Sequence, residues 1–286
     1  MTSAGSRRLL LVHAHPDDET IATGGTIARY AAEGVRVTLV TCTLGEEGEI
    51  IPPELARLGP AEADQLGGYR AGELAAAGAA LGVTDQRYLG GIGRWRDSGM
   101  AGTPSIEHPR AFVQGSQPEQ VAQLAEILAE VRPQVVVTYD EFGGYGHPDH
   151  IRAHEITMAA ADECDVPRVF HVVQPATALA EGLAALRDRP DVPFRVPAAG
   201  ELPAVPDARV TTAVDIGAHL DAKVAALRAH ATQVSVPEPA TCFALSNGIA
   251  QPLLDTEYYV VAARERGRAG DIEQGVERDL FAGLDR

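Results

Sequence analysis

The sequence predicts an α/β protein built on a doubly wound, mostly parallel (Rossmann-like) sheet. Short apolar runs alternate with helical patterns through the first half of the chain, the ordering that parallel strand–helix–strand units require. The helical patterns end at glycine or proline stops. Two of the apolar runs lead directly into clusters of His and Asp, and ligand sites of open α/β sheets lie just beyond such strand ends.

Arg8 to His13 reads as the first strand, and Asp18 to Glu33 as a helix stopped by Gly34. Val35 to Cys42 is β-branched and apolar, a second buried strand. An Ala/Leu-rich helix is expected over Ala61 to Leu81, ending at Gly82, followed by a short strand over Arg87 to Leu89. Glu119 to Val131 reads as a helix closed by Pro133, and Gln134 to Thr138 as a strand. Pro148 to Asp162 is a helix with proline in its first turn, and Val169 to Val173 a further strand. Two stretches interrupt the alternation. Gly90 to Pro118 is rich in Gly, Pro and Ser and long enough to be a functional loop. Pro175 to Asp207 contains six prolines and reads as an insertion or small cap. A strand around Val210, a helix over Gly217 to Ala231 and a strand over Glu257 to Ala262 follow. The expected organisation is a core over residues 1–174 with a C-terminal elaboration, residues 175–286, packed on the same domain.

The 286 residues carry 24 Lys+Arg against 40 Asp+Glu, a formal net charge of −16. Such a surface repels phosphate backbones, so nucleic acid is not an expected partner. A neutral or cationic small molecule suits it better. Cys42, Cys164 and Cys242 are widely spaced and form no CxxC pair, which argues against a disulfide framework or a cysteine zinc site. Only Leu9 to Val12 separate the N-terminal arginines from His13, too short for a signal segment. No apolar run is long enough to span a membrane, and a cytoplasmic location is expected. Nothing in these patterns selects an oligomeric state.

The first cluster is His13-Ala14-His15-Pro16-Asp17-Asp18-Glu19-Thr20, after the run Leu9 to Val12. The second is Gly143-Gly144-Tyr145-Gly146-His147-Pro148-Asp149-His150, after Val135 to Val137. Hydrolytic zinc sites commonly use three His or carboxylate ligands and keep a fourth position for water. His15 and Asp18 can supply two of them. His147 and His150, one helical turn apart, can supply the third, leaving the other histidine for proton transfer or oxyanion contact. Asp17, the spare carboxylate, is then the natural general base for a water that a metal acidifies. Asp149 could hold the free histidine in its tautomer. Taken singly, a His or Asp at a strand end is ordinarily a cap or turn residue, and Asp18 would serve as a helix N-cap. Two such clusters at equivalent strand ends are poorly explained that way. His13 reads as a packed strand residue, and His108, His154, His171 and His219 as surface or core. No Walker A loop or G-x-S-x-G elbow is present, and Gly91-Ile92-Gly93 lacks the third glycine of a dinucleotide fingerprint.

The pair HAHPDDE and GHPDH resembles the signature of the LmbE-like (PIG-L-like) N-acetylglucosaminyl deacetylase family. The likeness extends through Thr41 to Glu49, Asp64 to Arg70, Gly93 to Met100 and His230 to Gln233, and resumes near Glu257. The Gly93 to Met100 segment points within that family to the actinobacterial branch acting on N-acetylglucosaminyl-inositol in mycothiol biosynthesis. The resemblance implies a zinc-dependent deacetylase with one metal ion per subunit, ferrous iron being the alternative, and a small amino-sugar inositol as substrate. It implies His15, Asp18 and His150 as metal ligands, and Asp17 as general base. His147 would stabilise the oxyanion or act as general acid, and Tyr145 would polarise the acetamide carbonyl. Arg70 and Asp97 would contact sugar hydroxyls, with Glu49 and Met100 lining the pocket. The sister amidase that cleaves mycothiol S-conjugates shares the metal motif and is the nearest rival. A silent sugar-binding module is the rival of another class, and has no need of Asp17 and His147.

Overall fold

Alternation along the first strand sends Leu9 and Leu11 to one side and Leu10 and Val12 to the other, all fully buried. A strand apolar on both faces belongs in the middle of a sheet covered on both sides. The computed structural model, which describes residues 7–264 and 275–284, shows that arrangement. The N-terminal six residues, where no signal segment is expected, lie outside the described residues.

The first half runs β1 (Arg8–His13), α1 (Asp18–Ala32), β2 (Arg36–Thr41), α2 (Leu66–Leu81), β3 (Asp85–Tyr88), α3 (Gln117–Val131) and β4 (Val135–Thr138). A single turn, α4 (Gly143–Gly146), precedes α5 (Pro148–Glu163), β5 (Arg168–Val173) and α6 (Ala176–Arg187). Then come β6 (Thr212–Asp215), α7 (Leu220–Ala229), a small hairpin of β7 (Cys242–Phe243) and β8 (Gln251–Pro252), and β9 (Thr256–Arg264). Seven strands form one sheet in the order β3-β2-β1-β4-β5-β9-β6. The first five pair in parallel, and β9 runs antiparallel to both neighbours. α1, α2 and α7 pack together on one face, α3 and α5 on the other.

β1 is flanked by β2 and β4, so the chain leaves these central strands toward opposite faces. That reversal opens a crevice at the C-terminal ends of β1 and β4, where the two His/Asp clusters begin.

Several boundaries differ from expectation for identifiable reasons. The helix expected from Ala61 begins only at Leu66, because Asp64 sits at φ 52° with its carboxylate bound by Arg96 at 2.7 and 3.1 Å. The strand expected around Val210 begins at Thr212, and the helix expected from Gly217 starts as a 3-10 turn before α7. The proline-rich stretch contains α6, whose Leu179, Leu183 and Leu186 are buried along one stripe; the flanking prolines masked that helical spacing. β6 and β9 complete the sheet begun by the first half, so the C-terminal residues share its core.

Candidate metal centre and cleft

Pro16 ends the run after β1 and the chain turns sharply into α1. Asp17 takes φ 122°, ψ −32°, a conformation costing an L-residue on the order of 1–3 kcal/mol. It is the helix N-cap but makes no side-chain cap bond. Asp18, for which capping was the bland expectation, is the first helical residue and accepts the His15 backbone N–H at 2.9 Å. The turn therefore sends both carboxylates into the crevice instead of into capping.

From the other strand end, His150 arrives on the first turn of α5. Its Nδ1 lies 3.1 Å from the Gly143 carbonyl. Gly143 has φ 63°, and a Cβ there would meet His150 Cβ at 2.7 Å, so only glycine lets the backbone come this close. Donation of the Nδ1 proton to that carbonyl leaves the Nε2 lone pair free. His15 is held in the complementary way. Its Nε2 faces Asp149 Oδ2 at 3.2 Å and Asp97 Oδ1 at 3.5 Å, so its Nδ1 is the free nitrogen.

Three atoms thus converge. His15 Nδ1, Asp18 Oδ2 and His150 Nε2 form a triangle with every side 3.3 Å. Tetrahedral ligands with bonds of about 2.0–2.1 Å stand about 3.3–3.5 Å apart, so the triangle fits a small divalent cation with one open position. The charge fits as well. Burial works to lower the His15 imidazole, yet Asp97, Asp149 and Asp18 override it and hold it well above the usual histidine range. Surroundings that favour a positive charge so strongly suit a cation. A second grouping, His15, His147 and His150, also has nitrogens within 4.8 Å of one another. His147 serves it less well, because its Nδ1 accepts the Asp149 backbone N–H at 3.1 Å.

That bond settles the His147 tautomer. A neutral ring accepting at Nδ1 carries its proton on Nε2 and is a donor there. Burial, with His15 and His150 alongside, pushes its imidazole down to about 3, so the ring is neutral near pH 7. Asp149 holds His147 through its backbone N–H and not through its carboxylate, the group its proximity in sequence suggested. Its carboxylate instead faces His15 and accepts the Ser98 N–H at 2.9 Å, the place of a carboxylate that orients a candidate ligand histidine.

Asp17 is gripped from α2. Arg70 Nη2 pairs with Asp17 Oδ2 at 3.1 Å and also donates to the Pro16 carbonyl, while Nη1 donates to Gly45 O at 2.7 Å. Arg70 is 3% exposed. Its guanidinium grips the Asp17 turn from a place that also borders the cleft. Gly45, at φ 65°, has no room for a Cβ against this guanidinium. Burial raises the Asp17 carboxyl to about 6, against the opposing pull of Arg70. Asp97 is likewise buried, its carboxylate accepting from the backbone of Gly99 (2.8 Å) and Glu47 (3.2 Å) as well as facing His15.

These groups floor a cleft of about 1210 Å³ that Glu49, Met100, Tyr145 and His147 also line. Glu49 binds Ser246 at 2.6 Å across the rim. Tyr145 is 56% exposed, its ring 4.9 Å from that of His150. Every expected site residue is therefore in or directly behind one cleft.

Tyr139 escaped the sequence reading. Its hydroxyl accepts the Ala14 N–H and donates to Asp18 Oδ2, both at 2.8 Å, and its ring stacks on His150 at 4.2 Å. One side chain thus fixes two of the three candidate ligands. Tyr139→Phe is expected to weaken metal binding about 10–100-fold while leaving the fold intact, measured by competition with a chelator. Unchanged affinity would refute this role.

Fold and site together define a sheet enzyme scaffold with a candidate metal centre of His and Asp. The family model described as GlcNAc-PI de-N-acetylase (PIG-L) matches residues 10–161, and the chain belongs to that family. The 1D-myo-inositol 2-acetamido-2-deoxy-alpha-D-glucopyranoside deacetylase of Actinosynnema mirum is 62% identical, over 99% of each chain. The enzyme of the same name from Rhodococcus erythropolis is 53% identical, over 99% of each. Among solved structures, N,N'-diacetylchitobiose deacetylase from Pyrococcus horikoshii matches 80% of this chain and 71% of its own, with TM-score 0.51 and 22% identity. The 4-carboxy-2-hydroxymuconate hydratase of Pseudomonas putida matches 90% and 96%, with TM-score 0.56 and 20% identity. At those identities the likeness is one of fold, and a hydratase among them shows that the fold alone does not choose the reaction.

Proposed function

We propose that this chain hydrolyses the N-acetyl group of 1D-myo-inositol 2-acetamido-2-deoxy-α-D-glucopyranoside, releasing acetate and the free amine. The observation that carries the reading is the 3.3 Å triangle of His15, Asp18 and His150 with Asp17 beside it, next to a roomy cleft that His15, Asp17 and Asp18 line. Full-length relatives bearing that activity in their names support the substrate.

His15, Asp18 and His150 would hold zinc, the borderline cation suited to two imidazoles and a carboxylate. Once bound, it would supply an acidified water and polarise the acetamide carbonyl. Asp17, held on the cleft side by Arg70, takes the proton of the attacking water. His147, neutral with its proton on Nε2, donates a hydrogen bond where negative charge develops on the acetamide oxygen. Tyr145, at the rim above His150, adds a second donor. The amine leaves with the proton that Asp17 collected, since the neutral His147 has only its Nε2 proton and could give it up only by becoming an imidazolate. Asp97 holds His15 and, together with Glu49 and Met100, borders the sugar.

A second chamber of about 490 Å³ shares Asp18, Ile21 and Tyr145 with the cleft, reaches His150, and is walled by Leu179 and Phe243. That extra room beside His150 is what favours the sister reading, cleavage of mycothiol S-conjugates with a bulkier acyl group. Mass-spectrometric assay of both substrates separates the two. Acetate release from the acetamido sugar far faster than conjugate cleavage is expected; the reverse ranking would overturn the proposal.

A further inference from the structure

Asp17 occupies an unfavourable backbone conformation, and its main chain is held as well as its carboxylate. Its N–H points at Glu19 Oε2, 2.9 Å away. The other oxygen of Glu19 accepts from His230 Nε2 at 2.8 Å and from Thr20 Oγ1 at 2.5 Å. Glu19 and His230 are both 0% exposed, and neither lines the cleft.

His230 opens the run His230-Ala231-Thr232-Gln233, to which no role has attached. Two residues on, Thr232 binds Glu73 through both its N–H (2.8 Å) and its hydroxyl (2.6 Å). Glu73 lies one helical turn beyond Arg70 on α2. The same short run therefore braces both grips on Asp17. Through His230 it fixes the Glu19 that holds the backbone, and through Thr232 it fixes the helix whose Arg70 holds the carboxylate.

We propose that Glu19, braced by His230, is a positioning residue for the reaction: it accepts the Asp17 N–H and so holds that residue in the strained turn that aims its carboxylate at the attacking water. The inference rests on Asp17 being the general base. The Glu19 side chain meets neither the cleft nor the side chain of a candidate ligand, so it acts on turnover and not on binding. What matters is an acceptor at the right reach, since the bond being held is a backbone N–H. The charge of Glu19 is secondary.

Two substitutions split those attributes. Glu19→Gln keeps the reach and an acceptor oxygen, and its amide can meet His230 Nε2 once that ring carries its proton on Nδ1. Glu19→Asp keeps the charge but falls one methylene short. The experiment measures kcat and KM on the acetamido sugar, together with metal content, for the wild type, Asp17→Asn and both Glu19 variants. Glu19→Asp is expected to lower kcat about 10–100-fold, the scale of one lost hydrogen bond to a charged acceptor. KM should stay within about twofold and metal content at the wild-type level. Glu19→Gln should remain within about fivefold of wild-type kcat. Equal impairment of the two variants, a loss carried in KM or in metal content, or wild-type turnover in Glu19→Asp would each overturn the proposal. Should Glu19→Asp fail to fold, His230→Leu, which removes the brace and leaves Glu19, is expected to lower kcat in the same manner, and unchanged kcat there overturns it. An active Asp17→Asn would instead sink the general-base assignment, so the two failures are distinguishable.

Discussion

Alanine at His15 or at His150 is expected to abolish metal retention and acetate release together. Each removes one corner of the 3.3 Å triangle, leaving two protein ligands where hydrolytic zinc sites use three. The electrostatic consequence differs between them. Without His15, the buried carboxylates of Asp97 and Asp149 lose the imidazole that both face. Without His150, Gly143 O loses its donor and Tyr139 its stacking partner. In both variants the metal, which lowers the pKa of a water from about 16 to about 7, is gone, so turnover should fall to background. His147→Ala is the informative contrast. It should keep a full metal complement while losing activity, because His147 stands outside the triangle. Metal per chain by plasma mass spectrometry, alongside circular dichroism to confirm folding, checks all three. Stoichiometric metal in His15→Ala and His150→Ala, with a metal-free His147→Ala, would transfer the ligand role to His147.

The residues of this centre were legible because each cluster is local. His15 with Asp18, and His147 with His150, are short-range spacings after an apolar run, and the reversal of direction between β1 and β4 brings two such runs side by side. What each side chain grips was less legible. Asp149 is adjacent in sequence to His150 and near His147, yet it meets His15, since its place in the first turn of α5 points it across the crevice. Arg70 sits on a helix of mostly Ala, Gly and Leu whose spacing marks no clear inner face, and only the packing of α2 against the Asp17 turn shows that it faces inward. Tyr139 lies 121 residues from the Asp18 carboxylate it binds, and His230 lies 211 from Glu19. Periodicity carries no information about contacts of that range. The same limit applied to Asp64, whose partner Arg96 is 32 residues away, whereas α6 carries a local stripe, Leu179, Leu183 and Leu186, inside a stretch otherwise read by its prolines.

Asp17→Asn is expected to retain the metal and lose about 10²–10⁴-fold in kcat, the usual contribution of a positioned general base. The substitution is close to isosteric, and asparagine tolerates positive φ better than most residues. The backbone bonds that hold the turn, from Asp17 N–H to Glu19 and from Thr20 and Ile21 N–H to the Asp17 carbonyl, do not involve the side chain. The amide oxygen can still accept from Arg70, so the geometry of the turn should persist. What disappears is the lone-pair basicity that takes a proton from water. Asp17 also lies outside the ligand triangle, which is why metal content and activity should part company here, whereas in the ligand variants they fall together. Turnover within tenfold of wild type, with the metal complete, would mean that another group removes the proton. The remaining candidate within the cleft would then be His147, whose neutral ring accepts at Nδ1 from the Asp149 N–H and could turn basic only by giving up that bond.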